Sequence, residues 1–258
     1  MVRAKAEELV QRLAPGGSAL LNNTSKTESP ETLKDIGSKY FHAGKLSVAG
    51  SYYRLAIQAK PNYAEAHNNL GAILRKRGRP VSAIAAFQNA LMLNPKSGFS
   101  YGNLANLHER YGNIAQAEAY YLKAIQLAPN LHQGFVGMAR IAARRQQWGD
   151  ALAALTRAAA LAPQDASILH QTGVVYLSKG DLPAAMTNLR NASVLDPKNA
   201  TIKASLADVL YRQGKTDEAR KLVEESLGIN PEETIARALL EQWNTAETKP
   251  ESADVAAA

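Results

Sequence analysis

The residues able to do covalent or acid-base chemistry in this 258-residue chain are few and dispersed. His42, His67, His108, His132 and His170 are the natural general bases and metal ligands. None stands in a His-Glu-x-x-His pair, and no cysteine exists to complete a zinc set. The same lack of cysteine removes disulfides and a thiol nucleophile. Gly214-Lys215-Thr216 imitates the end of a phosphate-binding loop, but Val209 stands where that loop needs its leading glycine. These residues predict no enzyme, no metal site and no cofactor.

Hydrogen-bonding amides and cations recur instead. Asn69, Asn103 and Gln171 occupy one column of positions separated by multiples of 34 residues, with Asn68 and Asn106 close by. A side-chain amide carries a donor and an acceptor, so it can read a peptide bond whatever the peptide's sequence. Lysine and arginine side chains could hold carboxylates. The charge is uneven: residues 64–165 carry 11 basic and 5 acidic side chains, whereas residues 166–258 carry 10 and 13. A basic middle stretch predicts an acidic partner segment.

Elements that could position such residues are written in the same period. Pro61, Pro95, Pro129, Pro163, Pro197 and Pro231 are each 34 residues apart. Ala49, Ala83, Ala117, Ala151, Ala185 and Ala219 keep the same step, as do the small residues Gly37, Gly71, Ala105, Ala139, Gly173 and Ala207. Bulky columns run between them, such as Tyr53, Phe87, Tyr121, Leu155, Leu189 and Val223. Small residues let helix axes approach, and bulky ones fill the adjacent grooves, so each unit reads as two antiparallel helices. Gly44, Gly78, Gly112, Gly180 and Gly214 mark the turn inside the unit, and only Gln146 departs. The proline stops the second helix. N-caps for the following helices are expected near Asn62, Ser97, Asn130, Asp165 and Asn199, with Ser29 before Pro30 for the first. Alanine, 46 residues of the chain, is concentrated where close packing needs a small side chain.

The stretch from Ala64 to Pro95, with Leu70-Gly71, Gly78, Ala83, Phe87, Ala90 and Pro95, resembles the tetratricopeptide repeat family. Six such units tile residues 30–233 without insertion: 30–63, 64–97, 98–131, 132–165, 166–199 and 200–233. The resemblance implies an all-α, right-handed α-solenoid of six helix pairs. Residues 234–243 are expected to form a capping helix through Ile235, Leu239, Leu240 and Trp243. Residues 1–29 read as an amphipathic segment and linker, and residues 244–258 as a disordered tail.

The family further implies that the first helix of each pair lines a concave, peptide-binding groove. The lining residues would include Lys34, Asn68, Asn69, Arg75, Lys76, Asn103, Asn106, Glu109, Arg110, Arg140, Arg144 and Gln171. The carboxylate clamp of co-chaperone members is matched at Lys34 and Asn69, but Ser38, Phe99 and Asn103 replace its other residues. The asparagine ladder in the helical domain of O-linked N-acetylglucosamine transferase is matched at Asn69 and Asn103, with Gln171 as a substitute. The expected function is therefore a non-catalytic scaffold or adaptor that binds a protein or peptide, its bound segment acidic. The alternatives are a nucleic-acid-binding repeat protein and a regulatory subunit of a glycosyltransferase or other enzyme complex. The column Asp35, Asn69, Asn103, Gly137, Gln171, Ser205 forms no consistent base-reading code, which argues against nucleic acid. Charged residues interrupt the amino terminus, and no apolar run approaches the roughly 18 residues that span a bilayer. A cytoplasmic protein without membrane insertion is expected.

Overall fold

The computed structural model describes residues 28–247, so the amphipathic pattern near the amino terminus and the end of the tail lie outside the described residues. Among the described residues there are thirteen α-helices and no strand. They are α1 (Pro30–His42), α2 (Leu46–Ala59), α3 (Ala64–Lys76), α4 (Pro80–Leu93), α5 (Gly98–Arg110), α6 (Ile114–Leu127) and α7 (His132–Arg144). They continue with α8 (Trp148–Leu161), α9 (Ala166–Lys179), α10 (Leu182–Leu195), α11 (Ala200–Arg212), α12 (Thr216–Ile229) and α13 (Thr234–Glu247). The chain divides into two compact units, residues 1–137 and 138–258.

The punctuation residues act as their chemistry requires. Gly44, Gly78, Gly112, Gly180 and Gly214 have φ between 67° and 89°, which closes the first helix of each pair with a left-handed residue. Gln146 takes the same conformation at φ 58° despite its side chain. At the other end, the residue before each periodic proline is pushed out of the helical region. Lys60 has φ −142° and ψ 87°, and Asp196 has φ −136° and ψ 79°. Side-chain caps form at Ser29, Ser97, Asp165 and Asn199, each accepting from a backbone N–H two or three residues on. Asn62 does not cap: α3 starts one residue later, from Tyr63, without a side-chain cap bond.

In the first unit, α1 packs on α2, α3 on α4 and α5 on α6, while α2 meets α3 and α4 meets α5. The alanine column is fully buried in both units: Ala49, Ala83, Ala117, Ala151, Ala185 and Ala219 are all 0% exposed. Glycine is required where rings press in. A Cβ on Gly37 would come within 2.8 Å of Tyr53, and one on Gly71 within 2.7 Å of Phe87. Phe87 and Tyr121 are fully buried; burying a side chain of that size contributes about 1.5–3 kcal/mol.

The second unit repeats the scheme with α9 on α10 and α11 on α12. Lys203, which takes a column held elsewhere by Leu33, Phe135 and Leu169, turns its ammonium to Glu225 at 2.6 Å. The final helix α13 covers α11 and α12. Trp243 is its anchor, buried and stacked on Tyr211 with ring centroids 4.8 Å apart. This helix continues past Trp243 to Glu247, so the expected tail starts inside it.

Candidate peptide-binding face

Within the first unit the leading helices α1, α3 and α5 lie side by side, because each second helix is displaced to the other layer. This arrangement brings polar side chains of successive repeats together. Asn103 Nδ2 on α5 donates to Asn68 Oδ1 on α3 at 3.1 Å, and Asn68 Nδ2 in turn points to Asn69 Oδ1 at 3.4 Å. The three amides form one chain. Asn69 Nδ2 at one end and Asn103 Oδ1 at the other have no protein partner among the described residues. Those are the donor and acceptor that a peptide bond needs.

A cationic cluster adjoins them. Arg75 Nη1 donates to Asn106 Oδ1 at 3.3 Å, while Arg75 Nε is buried without an acceptor. Burial first, and the nearby Arg110 charge second, push the Arg75 guanidinium below the usual arginine range. Lys76, at the end of α3, places its ammonium over the Phe41 ring at 4.7 Å, and the side chain is exposed. Arg110 is exposed. Lys34 is different: its ammonium is held by Asp35 at 2.8 Å and Glu65 at 3.5 Å. Its hydrogen bond to Asp35 is the main reason its pKa is raised above the usual lysine value.

Glu109, one of the expected lining residues, is buried and accepts from the Tyr121 hydroxyl at 2.8 Å. Arg140 and Arg144 belong to the second unit, the first half-buried and the second exposed. Gln171 does not join an amide chain there. Its Nε2 donates to Ser167 O of its own helix at 3.3 Å, and its Oε1 is buried without a donor. The contact between leading helices is made next to it, by His170 Nε2 and Ser205 Oγ at 2.9 Å. Burial holds the His170 pKa below the usual histidine value, with Glu233 acting in the opposite sense.

Ser205 stands in the same sequence column as Gln171, but stepping by 34 does not pair it with His170, and it does not bring Phe41 to Lys76. A signal existed in the offset: Asn68 to Asn103 and His170 to Ser205 are both 35 residues, while Arg75 to Asn106 and Lys34 to Glu65 are both 31. Among the described residues no three His, Asp or Glu side chains cluster as metal ligands. No helix among them is long and apolar enough to cross a membrane.

This is a protein of tandem helix pairs whose leading helices present a polar face. Tetratricopeptide repeat models match residues 64–97, 98–131, 136–189 and 176–242, which together cover more than half of the sequence. The chain belongs to the tetratricopeptide repeat family, whose repeats serve as scaffolds for protein–protein interaction. Among solved structures, a chain of the APC/C hetero-tetramer Cut9-Hcn1 is similar with a TM-score of 0.77 and 21% identity, covering 86% of this chain. This chain spans only 44% of that one. PilW, a type IV pilus biogenesis factor, matches at TM-score 0.69 and 18% identity over 82% of this chain and 98% of its own. YrrB, described as having an unusual peptide-binding site, matches at 0.51 and 19% over 73% of this chain and 97% of its own. At these identities the likeness is one of fold. No curated protein matches the sequence.

Proposed function

We propose that the chain is a non-catalytic adaptor that binds an acid-bearing segment of a partner protein along the leading helices of its first unit. The observation that carries this reading is the amide chain from Asn69 to Asn103. It crosses two repeats, ends in an unused donor and an unused acceptor, and lies in the same row of helices as Arg75, Lys76 and Arg110. Amides would hold the backbone of the segment irrespective of sequence, and the cations would select its charge. Structural neighbours solved in complex with another chain, or described with a peptide-binding site, support an interaction role for this frame. Fold alone carries no substrate, so the role must be read from these side chains.

Panning a phage-displayed library of random peptides against the full chain tests the proposal. Selected peptides should be enriched in Asp and Glu and should bind the Asn69→Ala/Asn103→Ala variant at least tenfold more weakly. A neutral or basic consensus, or binding indifferent to that double substitution, would overturn it.

A further inference from the structure

Arg75 keeps a buried guanidinium nitrogen on this face without a hydrogen-bond partner. Its guanidinium is half-buried, its one hydrogen bond is the 3.3 Å contact to Asn106, and no carboxylate pairs with it among the described residues. After burial, the largest influence on its pKa is another cation, Arg110. Proteins rarely bury a charge without pairing it, because the lost hydration is returned only by a counter-charge or by several good hydrogen bonds. Here neither is present. The side chain is nonetheless kept in place between α3 and α5 by Asn106.

Two of the three guanidinium nitrogens are left without a protein partner among the described residues. Nη1 is committed to Asn106, Nε is stripped of water without an acceptor, and Nη2 has no protein partner among the described residues. Nε and Nη2 lie on the same edge of the guanidinium, the edge that presents two parallel N–H bonds to the two oxygens of a carboxylate. Asn106 Nδ2 is a further donor, since only the oxygen of that amide is occupied. A carboxylate arriving at Nη2 can take the Nε hydrogen as well once the side chain turns toward the groove. It would also relieve the repulsion between Arg75 and Arg110.

We infer that Arg75, flanked by Asn106 and Arg110, is a subsite for a side-chain carboxylate, Asp or Glu, of the segment bound along the first unit. The inference rests on the peptide-binding reading above and deepens it by naming the group that sets the register. The subsite uses none of Lys34, Ser38, Asn69, Phe99 or Asn103, the positions where the family's terminal-carboxylate clamp would lie. The subsite is thus separate from that clamp.

The experiment uses three fluorescent probes, each acetylated and amidated so that no terminal charge remains: hexaglutamate, hexaglutamine, and a hexapeptide with phosphoserine at alternate positions. Binding to the full chain is followed by fluorescence anisotropy at low salt, and the arginine Nε–H region of a nitrogen-15 correlation spectrum is recorded alongside. Hexaglutamate should bind the wild type and move one arginine Nε–H resonance, absent in Arg75→Gln. That variant and Arg75→Met should each bind it at least tenfold more weakly while melting no lower than wild type, which separates lost binding from lost folding. Arg110→Gln should weaken it only a few-fold. Hexaglutamine bound as tightly as hexaglutamate, with both indifferent to Arg75→Gln but weakened by Asn69→Ala/Asn103→Ala, would overturn the subsite and leave the groove reading standing. Hexaglutamate lost in Arg75→Gln yet indifferent to the asparagine pair would support the subsite and remove the groove. Phosphoserine peptide binding tighter than hexaglutamate and lost in Arg75→Gln would overturn carboxylate in favour of phosphate.

Discussion

Asn103 Nδ2 donates to Asn68 Oδ1 at 3.1 Å between two helices whose equivalent residues are offset by 34, yet the bonded pair is separated by 35. His170 and Ser205 repeat that separation in the second unit. Leading helices of neighbouring repeats thus meet one residue out of step with the sequence period. The partner shifts to 31 where the contact falls one turn earlier, as for Arg75 and Asn106.

If the Asn68–Asn103 bond joins the repeats energetically, the two substitutions to alanine should not be additive. A half-buried amide–amide bond contributes about 0.5–1 kcal/mol. A double-mutant cycle of Asn68→Ala and Asn103→Ala, read by urea unfolding, should return a coupling of about that size. A coupling indistinguishable from zero would mean the amides are held for a ligand and not for the fold.

This offset explains what the sequence disclosed and what it withheld. Turns, helix ends and packing columns repeat at identical places, so Gly44, Pro61 and Ala49 could be read by stepping along the chain. Contacts between repeats join non-equivalent places, so stepping by 34 set Gln171 beside Asn69 and Asn103 as a third amide. In the structure Gln171 bonds its own helix, and His170 makes the contact between helices. Lys34 was equally opaque. Its carboxylate Glu65 is 31 residues on, outside any column containing it. Asn62 failed as a cap because the helix starts after Tyr63, and single-residue shifts of a helix start leave little trace in composition.

Gly137 stands where asparagine occurs in the two preceding repeats, and its reason is steric. A Cβ there would lie 2.2 Å from Cζ of Tyr121, which is 1% exposed and hydrogen-bonded to Glu109. Gly137→Ala should therefore destabilise the first unit by about 1–3 kcal/mol, the usual cost of overpacking. Urea unfolding followed by tyrosine fluorescence measures this; a neutral substitution would show that Tyr121 has room to move.

Gln146 holds φ 58° where the five equivalent turns use glycine. A side chain is strained in this conformation, and glycine is not. Gln146→Gly should stabilise the chain by about 0.5–1 kcal/mol, the remainder being offset by the greater freedom of glycine in the unfolded state. The shift in the urea midpoint at constant slope gives the value. A loss of stability would point to contacts of the Gln146 side chain that outweigh its backbone strain.

His170 makes stability depend on pH. Burial lowers its folded pKa beneath the ordinary value of 6.5, with Glu233 opposing. The unfolded chain then takes up the proton first as pH falls. Stability from neutral His170 is thus complete above about pH 6.5 and is lost as pH falls through the window below it. Unfolding midpoints between pH 8 and 5 should decline below that point, and His170→Gln should flatten the decline. Part should persist, because burial also depresses His108. An identical profile in wild type and variant would assign the decline to other groups.

Arg75 should separate stability from binding. In the unbound protein it is a half-buried cation with a stranded Nε and a like charge nearby. Methionine matches the length of its apolar stem and carries no charge to desolvate, so Arg75→Met should raise stability. Replacing a buried ionic group with an apolar residue gains roughly 1–4 kcal/mol in favourable cases, and the partial exposure of Arg75 sets the expectation at about 1 kcal/mol. The same substitution should weaken binding of acidic peptides at least tenfold. Such opposition marks residues retained for a ligand at the expense of the resting fold. Chemical unfolding and peptide anisotropy on the same preparation decide the matter: a variant that is less stable and binds normally would make Arg75 a structural residue.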